Sequence, residues 1–227
     1  MPAPCLTLLN SRLREVSCLV SICRSRRVRQ VANFQAEQPA LLRGALVLLS
    51  SHIEGFFEEL IDDVVDAVDT GIQTPSAMPD AIRVRQVLGD PSRWSVSDQM
   101  QRWRLVRAAA QSPLFDDNAA HVPGQLDSGL HNDKFSNPGT SEIRDLFRTV
   151  GIPDCWIDFH AIEPRNTYKN EIDAIVSRRN QVAHGDMNAI ITELDVHAYI
   201  KNFRHTATVF AQVAQNHIAD HLPHFTW

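Results

Sequence analysis

Hydrophobic positions recur in steps of three and four along most of the chain, the period of an α-helix with one buried face. From Leu6 to about Ile22, apolar residues at 6, 9, 13, 16, 19, 20 and 22 predict a first helix. The strongest signal runs from Pro39 to Thr70. Leu42, Leu46, Leu49, Ile53, Phe56, Leu60, Val64 and Val68 form one row. Leu41, Ala45, Leu48, Phe57, Ile61 and Val65 form a second row that widens it. Such a stripe predicts an amphipathic helix of about eight turns, stopped at Gly71. Acids at 58, 59, 62, 63, 66 and 69 fall between the rows and are expected to form a solvated face.

Beyond Gly71 the pattern breaks. Pro75, Pro79, Gly89 and Pro91 bracket a short helix from Pro79 to Leu88. Ser97 or Asp98 is expected to cap another, running to about Gln111 before Pro113. Residues 112–139 are polar and hold Pro123, Gly124, Gly129, Pro138 and Gly139, which predicts a long loop. Thr140 or Ser141 is expected to cap a helix through Phe147, ended at Gly151-Ile152-Pro153. Residues 168–184 form a further helix with Ile172, Ile175, Val176, Val182 and Ala183 on one side and Gly185 as its terminator. Thr192 caps a last long helix to about Leu222, with Val196, Tyr199, Ile200, Phe203, Ala207, Phe210 and Ala214 at helical spacing. No β-branched run alternates over a strand length. The expected fold is all-α, a bundle of about four long helices with short helices inserted at about 71–139.

Composition narrows the function. Hydrophobic residues make up 44% and charged residues 22%, which is globular rather than disordered. The net charge of −5 disfavours a protein that coats duplex DNA non-specifically, since such proteins are basic overall. Only Lys134, Lys169 and Lys201 are lysines, so arginine supplies nearly all the positive charge. Arginine suits ion-pair and phosphate geometry, although a GC-rich coding sequence produces the same bias. Cysteines stand at 5, 18, 23 and 155 with no CxxC pair, which excludes zinc ribbons and thioredoxin-like sites and reads as buried thiols in a reducing compartment. The longest strictly apolar run, Ala45 to Leu49, is far below a membrane span, and no secretory signal is visible. A cytoplasmic protein with no membrane association is expected.

The segment Ser177-Arg178-Arg179-Asn180-Gln181-Val182-Ala183-His184-Gly185 gathers a fixed cation, an amide and an imidazole at a helix end. Arg179 follows Ile172 by seven residues, which puts it on or beside the core-facing side. That is a costly place for an arginine without an anionic partner. Asn180 and His184 share a face, but Arg179 and His184 lie five residues, or roughly 140°, apart. A second copy across a two-fold axis can bring both pairs into one cleft. An imidazole can move the proton of a ribose 2′-hydroxyl, an arginine can hold a phosphate oxygen, and an asparagine can orient either. That set suffices for metal-independent RNA cleavage by 2′-hydroxyl attack. It leaves 2′,3′-cyclic phosphate and 5′-hydroxyl ends, and DNA resists because it lacks the attacking group. Spacing alone is weak, since roughly one R-x4-H is expected by chance in this composition. A purely structural reading is also open: Arg179 paired with an acid, Asn180 solvated, and His184 at the negative end of the helix dipole.

Arg179-Asn180-x-x-x-His184 resembles the R-[N/D/H]-x-x-x-H motif of HEPN domains, and the wider chain resembles their RiboL-PSP branch. Three blocks carry the resemblance: Ala45 through Leu60, Asn137-Pro138-Gly139 through Ile152, and Arg178 through Gly185. It implies a HEPN-like up-and-down helical bundle over roughly residues 5–220. It also implies a homodimer with a composite active site, and an endoribonuclease that works without metal or other cofactor in toxin–antitoxin or anti-phage defence. Such a protein has RNA as substrate and an antitoxin or regulatory partner. The alternative within the family is an inactive module that only binds RNA or a partner. Arg179, Asn180 and His184 are then the catalytic set. HEPN toxins modified by AMP carry a Tyr two residues after the motif His, where this chain has Asp186.

Glu54, in the polar stretch that interrupts the long helix, is a candidate anionic partner for Arg179 or His184, and Arg178 a candidate phosphate contact. Three other groupings read as structural or open. His217-x-x-x-His221 has metal-pair spacing but no third ligand, and is expected to be a solvated tail. Arg102, Trp103, Arg104 and Arg107, with Trp94, can grip a single strand, but a core-anchored Trp between wet arginines explains the pattern as well. The cluster Arg24 to Arg29 either contacts phosphates or terminates the first helix.

Overall fold

The structure is a computed structural model, described here for residues 3–25, 34–89, 99–165, 167–186 and 189–227. Among these residues there are nine α-helices and no strand, which agrees with the all-α expectation. They are α1 (Pro4–Arg24), α2 (Phe34–Gly71), α3 (Asp80–Leu88), α4 (Gln99–Gln111), α5 (Gly129–Asn132), α6 (Thr140–Arg148), α7 (Cys155–Ile162), α8 (Thr167–Ala183) and α9 (Glu193–His221). Short 3-10 turns occupy Pro75–Ala77 and Pro113–Phe115.

Four long helices, α1, α2, α8 and α9, make the bundle. α2 is its centre, packed against α1, α8 and α9. The apolar rows of α2 are fully buried at Leu46, Leu49, Phe56, Phe57, Leu60, Ile61, Val64 and Val65. Leu9, Leu13, Val16 and Val20 of α1 meet them. By length and composition Glu37–Gly71 is apolar enough to cross a membrane, but these rows are taken up by the bundle core. Aromatic rings fasten the helices together. Phe210 of α9 stands 5.1 Å from Phe57, 5.2 Å from Phe147, 5.0 Å from Trp156 and 4.9 Å from Phe159. Two of these contacts are edge-to-face, and each such pair adds about 0.5–1.5 kcal/mol beyond area burial.

Several local expectations change. α2 begins at Phe34 and contains Pro39, rather than starting at it. α2 does end at Gly71, as expected, but without the left-handed turn that often marks such an end. A Cβ there would meet the methyl ends of Leu222, which would have to shift. The acids of α2 do not form a solvated face: of the six, only Asp66 is exposed. Asp63 accepts the Cys5 N–H at 3.1 Å, Glu59 pairs with Arg12 at 2.6 Å, and Asp62 accepts from Asn132 at 2.8 Å. Asp69 accepts from His121 and from the N–H groups of Gly124 and Leu126. α1 and residues 121–132 cover this side, and burial raises the carboxyls of Glu58, Asp62 and Asp63 above their ordinary values.

The expected 112–139 loop contains a 3-10 turn and the one-turn α5, and buries His121 and His131. Gly139, not Thr140 or Ser141, is the N-cap of α6. Thr140 donates instead to Asp173 through its N–H and hydroxyl, both at 3.0 Å. α7 lies outside the sequence expectation altogether. Asp154 caps it by accepting from Trp156 N at 3.1 Å. The proposed caps Ser97 and Asp98 lie outside the described residues. Thr192 does cap α9, in a reciprocal capping box with Asp195.

Candidate active site

α8 presents Tyr168, Ile172, Ile175 and Val176 to the core. Arg179 follows Tyr168 by eleven residues, which at 100° per residue brings it back to roughly 20° from that tyrosine. The guanidinium therefore rises out of the buried stripe itself, and Arg179 is half-buried. Its NH1 donates to Asn180 Oδ1 at 3.0 Å. Among the described residues Arg179 has no carboxylate partner.

His184 stands one residue past the end of this helix, at its C-cap. Its N–H donates to the Asn180 carbonyl at 2.9 Å. Gly185 then takes φ 80°, in the left-handed region that favours glycine. Gly185 N bonds to Val182 O and Asp186 N to Gln181 O, both at 3.0 Å, which is a Schellman closure. That closure fixes the helix end and leaves His184 exposed. Arg179 thus points along the core stripe and His184 off another side of the same helix.

Arg178 pairs with Asp195 at 3.3 Å and lies 5.8 Å over the Tyr199 ring. It ties the motif end of α8 to the first turn of α9. Burial pushes the Asp195 carboxyl up, but the Thr192 hydroxyl and N–H, with Arg178, hold it below its ordinary value. Glu54 is half-buried on α2 and makes no ion pair with Arg179 or His184 among the described residues. It stands by Glu58, where burial first and the Glu54 charge second raise the neighbouring carboxyl.

Beside the motif end, Gln38, Pro39, Leu42 and Arg43 of α2 face Ala189–Leu194 across a cleft of about 500 Å³. Ile190 is 79% and Leu194 75% exposed. Sequence reasoning did not single out these two residues, whose only signal is an apolar side chain, Ile190 in the short connection after the motif and Leu194 in the first turn of α9.

The other groupings resolve differently. His217 is half-buried and its Nε2 donates to the Val150 carbonyl at 3.0 Å, so it is a packing residue rather than part of a solvated tail. Burial lowers its imidazole below the ordinary value. Among the described residues no cluster of three His, Cys, Asp or Glu side chains is arranged to hold a metal ion. Trp103 is not core-anchored: it is 63% exposed. Arg26, Arg27, Arg29 and Trp94 lie outside the described residues.

Comparison with curated proteins and with solved structures gave no match. A family model does match: RiboL-PSP-HEPN, over residues 9–216. The match takes in all four long helices and the segment inserted between α2 and α8, and the chain belongs to the RiboL-PSP-HEPN family.

Proposed function

We propose that this chain is an endoribonuclease that cleaves RNA through the ribose 2′-hydroxyl. The family is associated with RNase or nucleotide-related activity, and the motif residues supply the groups this reaction needs. The observation that carries the reading is Arg179: a half-buried arginine on the core stripe, bonded to Asn180 and to no carboxylate among the described residues. A guanidinium held there without a counter-charge is suited to a phosphate oxygen.

In the proposed reaction His184 accepts the 2′-hydroxyl proton as the 2′-oxygen attacks phosphorus. The bond from phosphorus to the 5′-oxygen breaks, and that oxygen leaves as a hydroxyl after taking a proton. Arg179 binds the non-bridging oxygens and stabilises their growing charge. Asn180 holds the guanidinium in place through its carbonyl oxygen and keeps its amide N–H groups for the phosphate. Because Arg179 and His184 diverge within one helix, the working site takes Arg179 from one copy and His184 from another in a homodimer. The exposed Ile190 and Leu194 beside the motif supply apolar surface for that pairing. A nuclease of this kind requires a restraining partner in the cell.

The test is incubation of wild type, Arg179→Ala and His184→Ala with mixed cellular RNA in EDTA, followed by mapping of fragment ends. Wild type should leave 2′,3′-cyclic phosphates, and each variant should lose on the order of 10²–10⁴ in rate. Equal cleavage by wild type and His184→Ala would overturn the reading. Salt-dependent RNA binding without turnover would point instead to a binding module.

A further inference from the structure

α4 is the barest helix of the fold. Of its described side chains only Leu105 and Ala109 are half-buried, and the rest are exposed. Those two are four residues apart and form its seat, through which it rests on α3 and on the Pro113–Phe115 turn. At 100° per residue, Trp103, Arg107, Met100 and Arg104 fall on the arc opposite that seat. Met100 is 60%, Trp103 63% and Val106 58% exposed. Together with Gln99 and Arg102, these three line an open surface cleft of about 670 Å³. Helix α4 contains Arg102, Arg104 and Arg107 and no acid, in a chain whose net charge is −5.

We propose that the exposed face of α4 around Trp103, Arg104 and Arg107 is a docking site for single-stranded RNA. Trp103 stacks on a base, and Arg104 and Arg107 hold the flanking phosphates. The proposal rests on the nuclease reading for its choice of ligand, and three observations favour that ligand. An acidic chain that acts on RNA needs a local cationic surface. At the motif end Arg178 is already engaged by Asp195. On α4 the cations are interleaved with an exposed aromatic ring, the arrangement that binds unpaired strands through bases and backbone together. A hydrophobic partner helix would instead favour an unbroken apolar stripe, and Arg104 and Arg107 interrupt this one.

The site stands apart from the motif. The segment carrying α4 is anchored to α2 at Glu58, Asp62 and Asp69, whereas the motif end adjoins Arg43. Those anchor points are about 20–40 Å apart along α2 at 1.5 Å per residue. A substrate that engages both must therefore be longer than a few nucleotides, and α4 selects RNA with an unpaired stretch away from the cut.

The experiment measures binding of a fluorescein-labelled uridine 12-mer to the full chain in a His184→Ala background, by anisotropy. Adding Trp103→Ala should weaken Kd by about 5- to 150-fold, the range expected for one lost base–aromatic stack. Trp103→Phe should recover most of it. Adding Arg104→Ala and Arg107→Ala should flatten the slope of log K against log salt by about 1.4. Circular dichroism of each variant should match its parent, since all three side chains are exposed. Binding by Trp103→Ala within twofold of its parent would overturn the proposal. So would equally tight, Arg104- and Arg107-dependent binding of a polyglutamate peptide, which would make α4 a dock for an acidic protein. Cleavage of a short RNA by otherwise native Trp103→Ala separates the two readings: loss of the α4 site leaves that cleavage intact, and failure of the nuclease reading removes it in every variant.

Discussion

His131 gives the segment between α2 and α6 a predictable acid weakness. It sits on α5, 2% exposed, with Nε2 at 3.3 Å from the Gln86 amide. Burial, with the Arg85 guanidinium adding to it, pushes its imidazole down from 6.5 to about 4. A base with a lowered folded pKa is neutral in the native state, while the unfolded chain binds a proton near pH 6.5. Its contribution to stability is therefore complete above about pH 6.5 and is lost as pH falls toward 4. Linkage puts the loss at about 1.4 kcal/mol at pH 5.5 and about 3 kcal/mol at pH 4. The test is urea unfolding of wild type and His131→Gln at pH 7.5, 5.5 and 4.5. Other groups, including the raised carboxyls of α2 and the lowered His52 and His217, titrate in both proteins. The change in the difference between the two curves therefore isolates His131. Wild type should lose stability relative to the variant by about 2 kcal/mol or more between pH 7.5 and 4.5. A difference that stays constant across that range would refute the account of His131 as a buried neutral base.

Two further outcomes follow from the same structure. Asp69→Ala removes a carboxylate that is 6% exposed, leaves His121 Nε2 with the residue-69 carbonyl alone and strands two backbone N–H groups, so it should cost about 2–5 kcal/mol. Limited proteolysis should then cut within 116–127 before the bundle unfolds, and uncut protein at that point would count against the anchoring role. Mixing Arg179→Ala with His184→Ala should restore RNA cleavage to about a quarter of wild type, because half the dimers are mixed and each mixed dimer rebuilds one of its two sites. A mixture as inactive as its components would refute the composite site.

The long helices were legible because their apolar rows are long enough for the 3.6-residue period to show. Thr192 was legible as a cap because Asp195 completes the reciprocal box three residues later. α7 was not: an eight-residue helix with apolar residues on nearly every side carries no period, and its signal, Asp154 before Trp156, was local. The α2 acids were misread because a charge pattern gives the face of a helix without the neighbour. Arg12, Asn132, His121 and the Cys5 N–H come from elements whose placement on α2 the sequence does not encode locally. The Trp103 error has the same origin. The α4 sequence offers Leu105 and Ala109 on one side and Met100, Trp103 and Val106 on the other. α3 covers the smaller set and leaves Trp103 exposed. Arg179 could be placed on the core stripe from its spacing to Ile172, but that it pairs with no carboxylate among the described residues required the fold.

That absence also explains how the motif end is built. Among the described residues the half-buried Arg179 guanidinium bonds its neighbour's amide and no carboxylate, so the part of it that leaves water does so without a counter-charge, at some cost to the folded chain. The surrounding structure compensates locally. Arg178 clamps α8 to Asp195, Asp195 is itself held by Thr192, and Gly185 closes the last turn without strain. These contacts hold the backbone on either side of Arg179 and fix the direction in which its side chain leaves the helix. An acid opposite Arg179 would relieve the cost, but it would also fill the place of the phosphate. On the proposed reading the fold holds this cation at a rigid helix end with no carboxylate beside it among the described residues, and an anionic substrate would supply that charge on binding, a term that favours binding and is absent from the free protein.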